Sequence, residues 1–147
     1  MSAATLFGAA ALVSTATFTA WALYITLVEH PARIASGAAA GRAQFRPSYH
    51  RAAPWQASFA AIALVSGTLA AARSGDWTWL AGALAVGAVI PLTLVVIRPT
   101  NRRLLSSETL ADAETLDLLE RWGRLHAVRT VLGATGLLAF LYSLRTR

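Results

Sequence analysis

Three short groups of residues in this chain carry side chains able to do chemistry. They are Glu29-His30-Pro31-Ala32-Arg33, Asn101-Arg102-Arg103, and Trp122 with His126 and Arg129. In the last, the spacing i, i+4, i+7 puts all three side chains on one face of a helix. An imidazole takes or gives a proton near neutral pH, since its ordinary pKa is about 6.5. A guanidinium presents a fork of donors to an oxyanion. A four-helix bundle could gather from these groups two histidines, a carboxylate, an amide and several arginines in one polar pocket.

Each residue also has a plainer reading. Glu29 and Arg33, four apart, suit a helix-end ion pair, and Asp117–Arg121 and Glu120–Arg124 have the same spacing. Asn101 after a proline could satisfy loop backbone groups. Trp122 could anchor at a membrane interface, and His50 reads as a surface histidine. Arg145 and Arg147 read as anchors at a membrane end. His126 and Arg129 resist such readings, because no acid neighbours Arg129 in sequence and both sit at the start of an apolar run.

What must position these groups is a membrane bundle. The 147 residues are one domain's worth, 56% apolar and only 14% charged, against roughly 25% charged in an ordinary soluble domain. So few charges cannot cover the surface of a small soluble protein. The net charge of +6 comes with thirteen arginines and no lysine. Basic loops beside membrane helices account for it without nucleic acid. With no cysteine, disulfides, thiol catalysis and iron–sulfur ligation are excluded.

The run from Met1 to Val28 carries no charge, and no basic residue precedes it as in a signal peptide, so it reads as a retained first span. Four spans are expected, at about 4–29, 53–72, 77–98 and 120–144, forming one all-α integral membrane domain over 1–147. The first is expected to end near Pro31. Residues 33–53 read as a polar connector with a Gly/Ala-rich middle, in which only Arg46-Pro47-Ser48-Tyr49-His50 looks shaped. Pro91 predicts a kink in the third span, and Ala83 and Gly87 allow a close helix neighbour. Ser107 offers a cap for a helical extension that runs into the fourth span. The uncharged stretch 130–144 is short, so that span must reach back towards Trp122 and carry Arg124, His126 and Arg129 towards the membrane. Ionisable groups at such depth usually face the protein interior. Both connectors fall on one side with ten of the arginines, against Arg73, Arg145 and Arg147 on the other. The arginine count puts the termini outside the cytoplasm.

No glycine-rich phosphate loop, HExxH, GxSxG or CxxCH occurs, so no organic cofactor is recognisable. His30, His126 and Glu29 could form a two-histidine, one-carboxylate set for a divalent metal such as iron. Adjacent helical side chains diverge by about 100°, however, so Glu29 and His30 could share a metal only if the helix unwinds before Pro31.

Glu29-His30-Pro31-Ala32-Arg33, Pro99-Thr100-Asn101-Arg102-Arg103-Leu104 and Trp122-x-x-x-His126-x-x-Arg129, in that order, resemble the DUF1772 (anthrone oxygenase-like) family of small four-helix membrane proteins. The resemblance implies an oxygenase that acts on an aromatic phenolic substrate with O2 and without an obvious organic cofactor. In that reading His126 is the base, supported by Glu29 or His30. Arg129 and Arg103, with Arg33 nearby, hold a phenolate, Asn101 donates to ring oxygens and Trp122 stacks. Two other classes compete: a scaffold or assembly partner whose arginines bind lipid headgroups, and a small transporter hinged at Pro91; a homo-oligomer is compatible with each reading.

Overall fold

The computed structural model describes residues 2–145, so the anchor expected at Arg147 lies outside the described residues. Four helices, each long and apolar enough to cross a membrane, make up the fold: α1 (Ala3–Ala35), α2 (Ala38–Ser74), α3 (Trp77–Leu105) and α4 (Asp112–Arg145). No strand occurs among the described residues. Each of α2 and α4 packs against both α1 and α3, which lie on opposite corners of the bundle.

The first expectation to be corrected is the polar connector at 33–53. It is helical, and α2 runs unbroken through Pro47 and Pro54. The reason lies in its composition: Ala38, Ala39, Ala40 and Ala43 are the strongest helix formers, whatever polar residues they alternate with. Ala38, Gly41 and Phe45 fall on one buried face, so the segment becomes a wall of the bundle. Only Ser36 and Gly37 separate α1 from α2, and Gly37 takes a left-handed φ of 84°.

Nor does α1 stop at Pro31. Just before it, Ile25–Glu29 widens into a π turn, in which the His30 N–H reaches back five residues to the Ile25 carbonyl. The wider turn makes room for a proline ring that would otherwise strike the carbonyl four residues earlier. Leu92–Ile97 repeats the device ahead of Pro99 in α3, with the Arg98 N–H bonded to Thr93. The interruption expected at Pro91 is present, at Ala88.

Ser107 does not cap α4, which begins at Asp112 with Asp112 and Glu114 in its first turn, where acids suit the helix dipole. The intervening loop is held by Arg42 instead, which donates to the carbonyls of Leu104 (3.2 Å), Ser106 (2.7 Å) and Glu108 (2.9 Å). At the opposite end of the bundle the core is dry and made of Ala11, Ala70, Trp79, Ala83 and Phe140. Here α3 and α4 touch through glycine: a Cβ on Gly136 would lie 2.9 Å from the Gly82 carbonyl.

Candidate functional site

At the end nearer the 1–2 and 3–4 junctions the interior is polar. The π turn of α1 brings Glu29 and His30, and one turn on Arg33, to this end. Arg33, 4% exposed, donates from Nη2 to Glu29 (2.6 Å) and from Nε to Gln44 (2.5 Å). Gln44 (2.9 Å) and Ser48 also donate to the same Glu29 oxygen. The guanidinium carbon lies 5.3 Å from the Phe45 ring and 5.4 Å from the Trp122 ring. Charge, hydrogen bonds and two aromatic faces are thus all satisfied.

Trp122 is the hinge between this network and the next. Its indole N–H donates to Asn101 Oδ1 at 2.8 Å, and Asn101 donates in turn to the Tyr49 hydroxyl at 3.3 Å. One side of the indole stacks on His126, with centroids 4.7 Å apart and planes at 25°, while His30 lies 5.4 Å away and tilted. His30 fits only because residue 123 is glycine: a Cβ there would collide with its Nε2. Its Nδ1 faces Arg33 at 3.4 Å.

His126 is 2% exposed and held by threonines. Its Nδ1 lies 3.2 Å from the Thr26 hydroxyl, which lies 2.8 Å from that of Thr130. Its Nε2 is buried with no partner. One turn on, Arg129 donates to Gln56 Oε1 at 2.9 Å and covers the Phe18 ring at 5.6 Å. No carboxylate forms an ion pair with Arg129 among the described residues, and its Nε and the Gln56 Nε2 are also buried without partners. Thr15 and Thr19 hydroxyls at the bundle's waist share that condition, but the other three atoms belong to side chains around one cavity. That cavity, walled by Tyr49, Gln56, Trp122, His126 and Arg129, has a volume of about 20 Å³, room for a water and little more.

The residues expected from sequence divide accordingly. His126, Arg129, Trp122 and Arg33 line the cavity. Asn101 and Glu29 stand one contact behind it, holding Trp122 and Arg33. His30 faces the Trp122 ring rather than the cavity. Arg103 does not join. It is exposed on the outer face of α3 and pairs with Glu108 and, at 2.8 Å, with Glu114. The three-residue metal set is not assembled: α1 stays wound, Glu29 is taken up by Arg33, and the Trp122 ring lies against both His30 and His126. Among the described residues no three His, Asp or Glu side chains form a metal-holding group.

Sequence reading missed Thr26, Tyr49, Gln56 and Thr130. Gln56 was the most findable, as an amide within an uncharged apolar run. Tyr49 sat in the one shaped piece of the supposed connector.

A family model described as anthrone oxygenase matches residues 45–139. The chain belongs to the anthrone oxygenase family. The matched stretch carries Ser48, Tyr49, Gln56, Trp122, His126 and Arg129, the whole of the cavity's α2 and α4 polar lining, and Asn101 behind Trp122, whereas Glu29, His30 and Arg33 precede it. No curated protein and no solved structure matches the chain. Four spanning helices also make this family member a multi-pass membrane protein.

Proposed function

We propose that this anthrone oxygenase family member is a membrane-embedded oxygenase that oxidises an aromatic phenolic molecule with dioxygen, with His126 as the base. The observation that carries the reading is the buried, unpartnered Nε2 of His126 beside the unpaired guanidinium of Arg129. A backbone carbonyl can only accept, and the Thr130 hydroxyl donates to those of Ala22 or His126, each at 3.3 Å. Thr26 then donates to Thr130, and His126 donates from Nδ1 to Thr26. That polarity leaves a lone pair on the buried Nε2 of a residue that lines the cavity.

An anthrone-type substrate carries an acidic CH2 between aromatic rings. His126 Nε2 takes one of its protons, and Arg129 with Gln56 stabilises the oxygen onto which the charge spreads. The electron-rich carbanion gives one electron to O2, and the two radicals combine into a C–O bond. The imidazolium returns its proton to the peroxide. Loss of water, with the second CH2 proton, breaks the O–O bond and leaves a carbonyl. One O2 is consumed and one water released, so the sum needs no other reductant. Trp122, fixed by Asn101, keeps the imidazole plane in place. The arginine-rich junction side faces the cytoplasm in this reading.

The test is quinone formation and oxygen uptake by purified protein given an anthrone. Wild type turns over, and His126→Ala loses about 10²–10⁴-fold, the usual weight of a positioned base. Equal rates for the two proteins reject His126 as base. No turnover by a folded wild type returns the lipid-binding scaffold as the better reading.

A further inference from the structure

The small cavity does not hold a tricyclic molecule, but a second space adjoins it. Tyr49, Ala53, Gln56 and Arg129 wall both. The second space is a slot of about 280 Å³ between α2 and α3, near the lower size of small-molecule sites. Its α2 side is made by alanines at 53, 57 and 60, spaced to fall on one helix face. Its α3 side is Val89, Ile90, Thr93 and Leu94, where Pro91 and the π turn distort the helix. Both sides lie in uncharged stretches of sequence, and Ala57 and Leu94 at the rim are exposed on the outer, lipid-facing surface. Apart from Thr93, whose hydroxyl donates to the Val89 carbonyl of its own helix at 2.7 Å, the polar groups sit at the inner end, at Tyr49, Gln56 and Arg129. There Gln56, 2% exposed, and Arg129 each keep a buried N–H without an acceptor.

We infer that the α2–α3 slot is a lateral portal and binding site, through which a flat aromatic molecule bearing a phenolic or ketone oxygen passes from the bilayer to Arg129 and His126. This deepens the reading above and rests on its ligand class. An acyl chain would fill the alanine-walled part but would leave the Gln56 and Arg129 donors unanswered. A free anion would satisfy the donors and leave the apolar walls empty. A planar ring system with one oxygen end answers both. Its oxygen meets Gln56 Nε2 and the guanidinium, and its rings lie along Ala53, Ala57 and Ala60. The reacting carbon is then delivered from the lipid side, and water is kept out by the ligand itself.

The protein reconstituted in lipid vesicles can be photolabelled with 4-hydroxybenzophenone, and the adducts mapped by peptide mass spectrometry. Adducts are expected within 53–60 and 89–94, saturable by unlabelled 9-anthrone. Ala57→Phe and Leu94→Trp, which fill the rim from opposite helices without touching the polar end, should each lower labelling there at least tenfold. Arg129→Gln should remove the preference for 4-hydroxybenzophenone over unsubstituted benzophenone. Labelling spread evenly over lipid-facing positions such as Val131 and Leu138, or unchanged by both rim variants in protein that elutes as a single species, overturns the portal. So does anthrone turnover that neither rim variant slows, and in that case the oxygenase reading survives. Saturable labelling of the slot without any turnover leaves the portal standing and removes the oxygenase reading.

Discussion

The two ends of this bundle solve the same problem in opposite ways. At the Trp79 end, Ala, Gly and Phe side chains close the helices to contact, with the Trp79 and Phe140 rings stacked at 5.3 Å. At the Trp122 end the indole is instead one member of a polar chain from Tyr49 through Asn101 to His126. At the dry end Thr78 bonds the buried Ser143 at 2.5 Å and Asp76 caps α3. The wet end leaves three N atoms buried and unanswered. Tight packing serves stability, whereas unsatisfied polar groups weaken it and make sense where a ligand is to complete them.

The largest effect that would sharpen this contrast is on activity. His126→Ala should remove about 10²–10⁴ of turnover while lowering the thermal midpoint in detergent less than Trp79→Ala does. The lost Trp122 stack and the cavity are partly offset by deleting an unpartnered buried nitrogen. A large fall in midpoint would make His126 a structural residue and erase the difference between the ends. Trp79→Ala should do the reverse. It creates a cavity worth about 3–5 kcal/mol, read as a lower unfolding midpoint, with turnover per folded molecule retained.

Glu29→Ala strands the Arg33 guanidinium inside the bundle. Breaking such a pair typically costs about 3–5 kcal/mol, and the partly exposed Glu29 side chain, at 17%, puts the expectation at about 3 kcal/mol, with Glu29→Gln clearly milder. Equal losses for the two variants would mean that charge rather than hydrogen bonding holds Arg33. Asn101→Leu leaves the Trp122 N–H without an acceptor and should lower stability by about 1–3 kcal/mol. Turnover should also fall, because the His126 plane loses its backing, and unaltered turnover would separate Trp122 from the site. Smallest of all is Arg103→Ala. Its partners are on the protein surface, so neither unfolding nor turnover should respond.

Much of the wet end was legible in the residues themselves. The i, i+4, i+7 face of Trp122, His126 and Arg129 is fixed by helix geometry, and the short uncharged stretch after it told that this face had to enter the bundle. Arg103 was misjudged because sequence shows a cation and not its azimuth. Asn101, two residues earlier on the same helix, turns inward while Arg103 turns out to Glu114. The stretch 33–53 was misjudged because glycine, serine and arginine suggest a loop, whereas its alanines and buried Phe45 commit it to helix once α1 and α4 are there to pack against.

Composition and hydropathy alone determined an all-helical membrane protein with four spans, because transfer of uncharged side chains to lipid depends on what they are and hardly on what they touch. Tertiary structure decided the rest. Which donors are paired, which nitrogen stays bare and where a slot opens between helices depend on rotation and approach. Those follow from contacts such as Gly123 against His30 and Gln56 against Arg129, made across dozens of residues of chain.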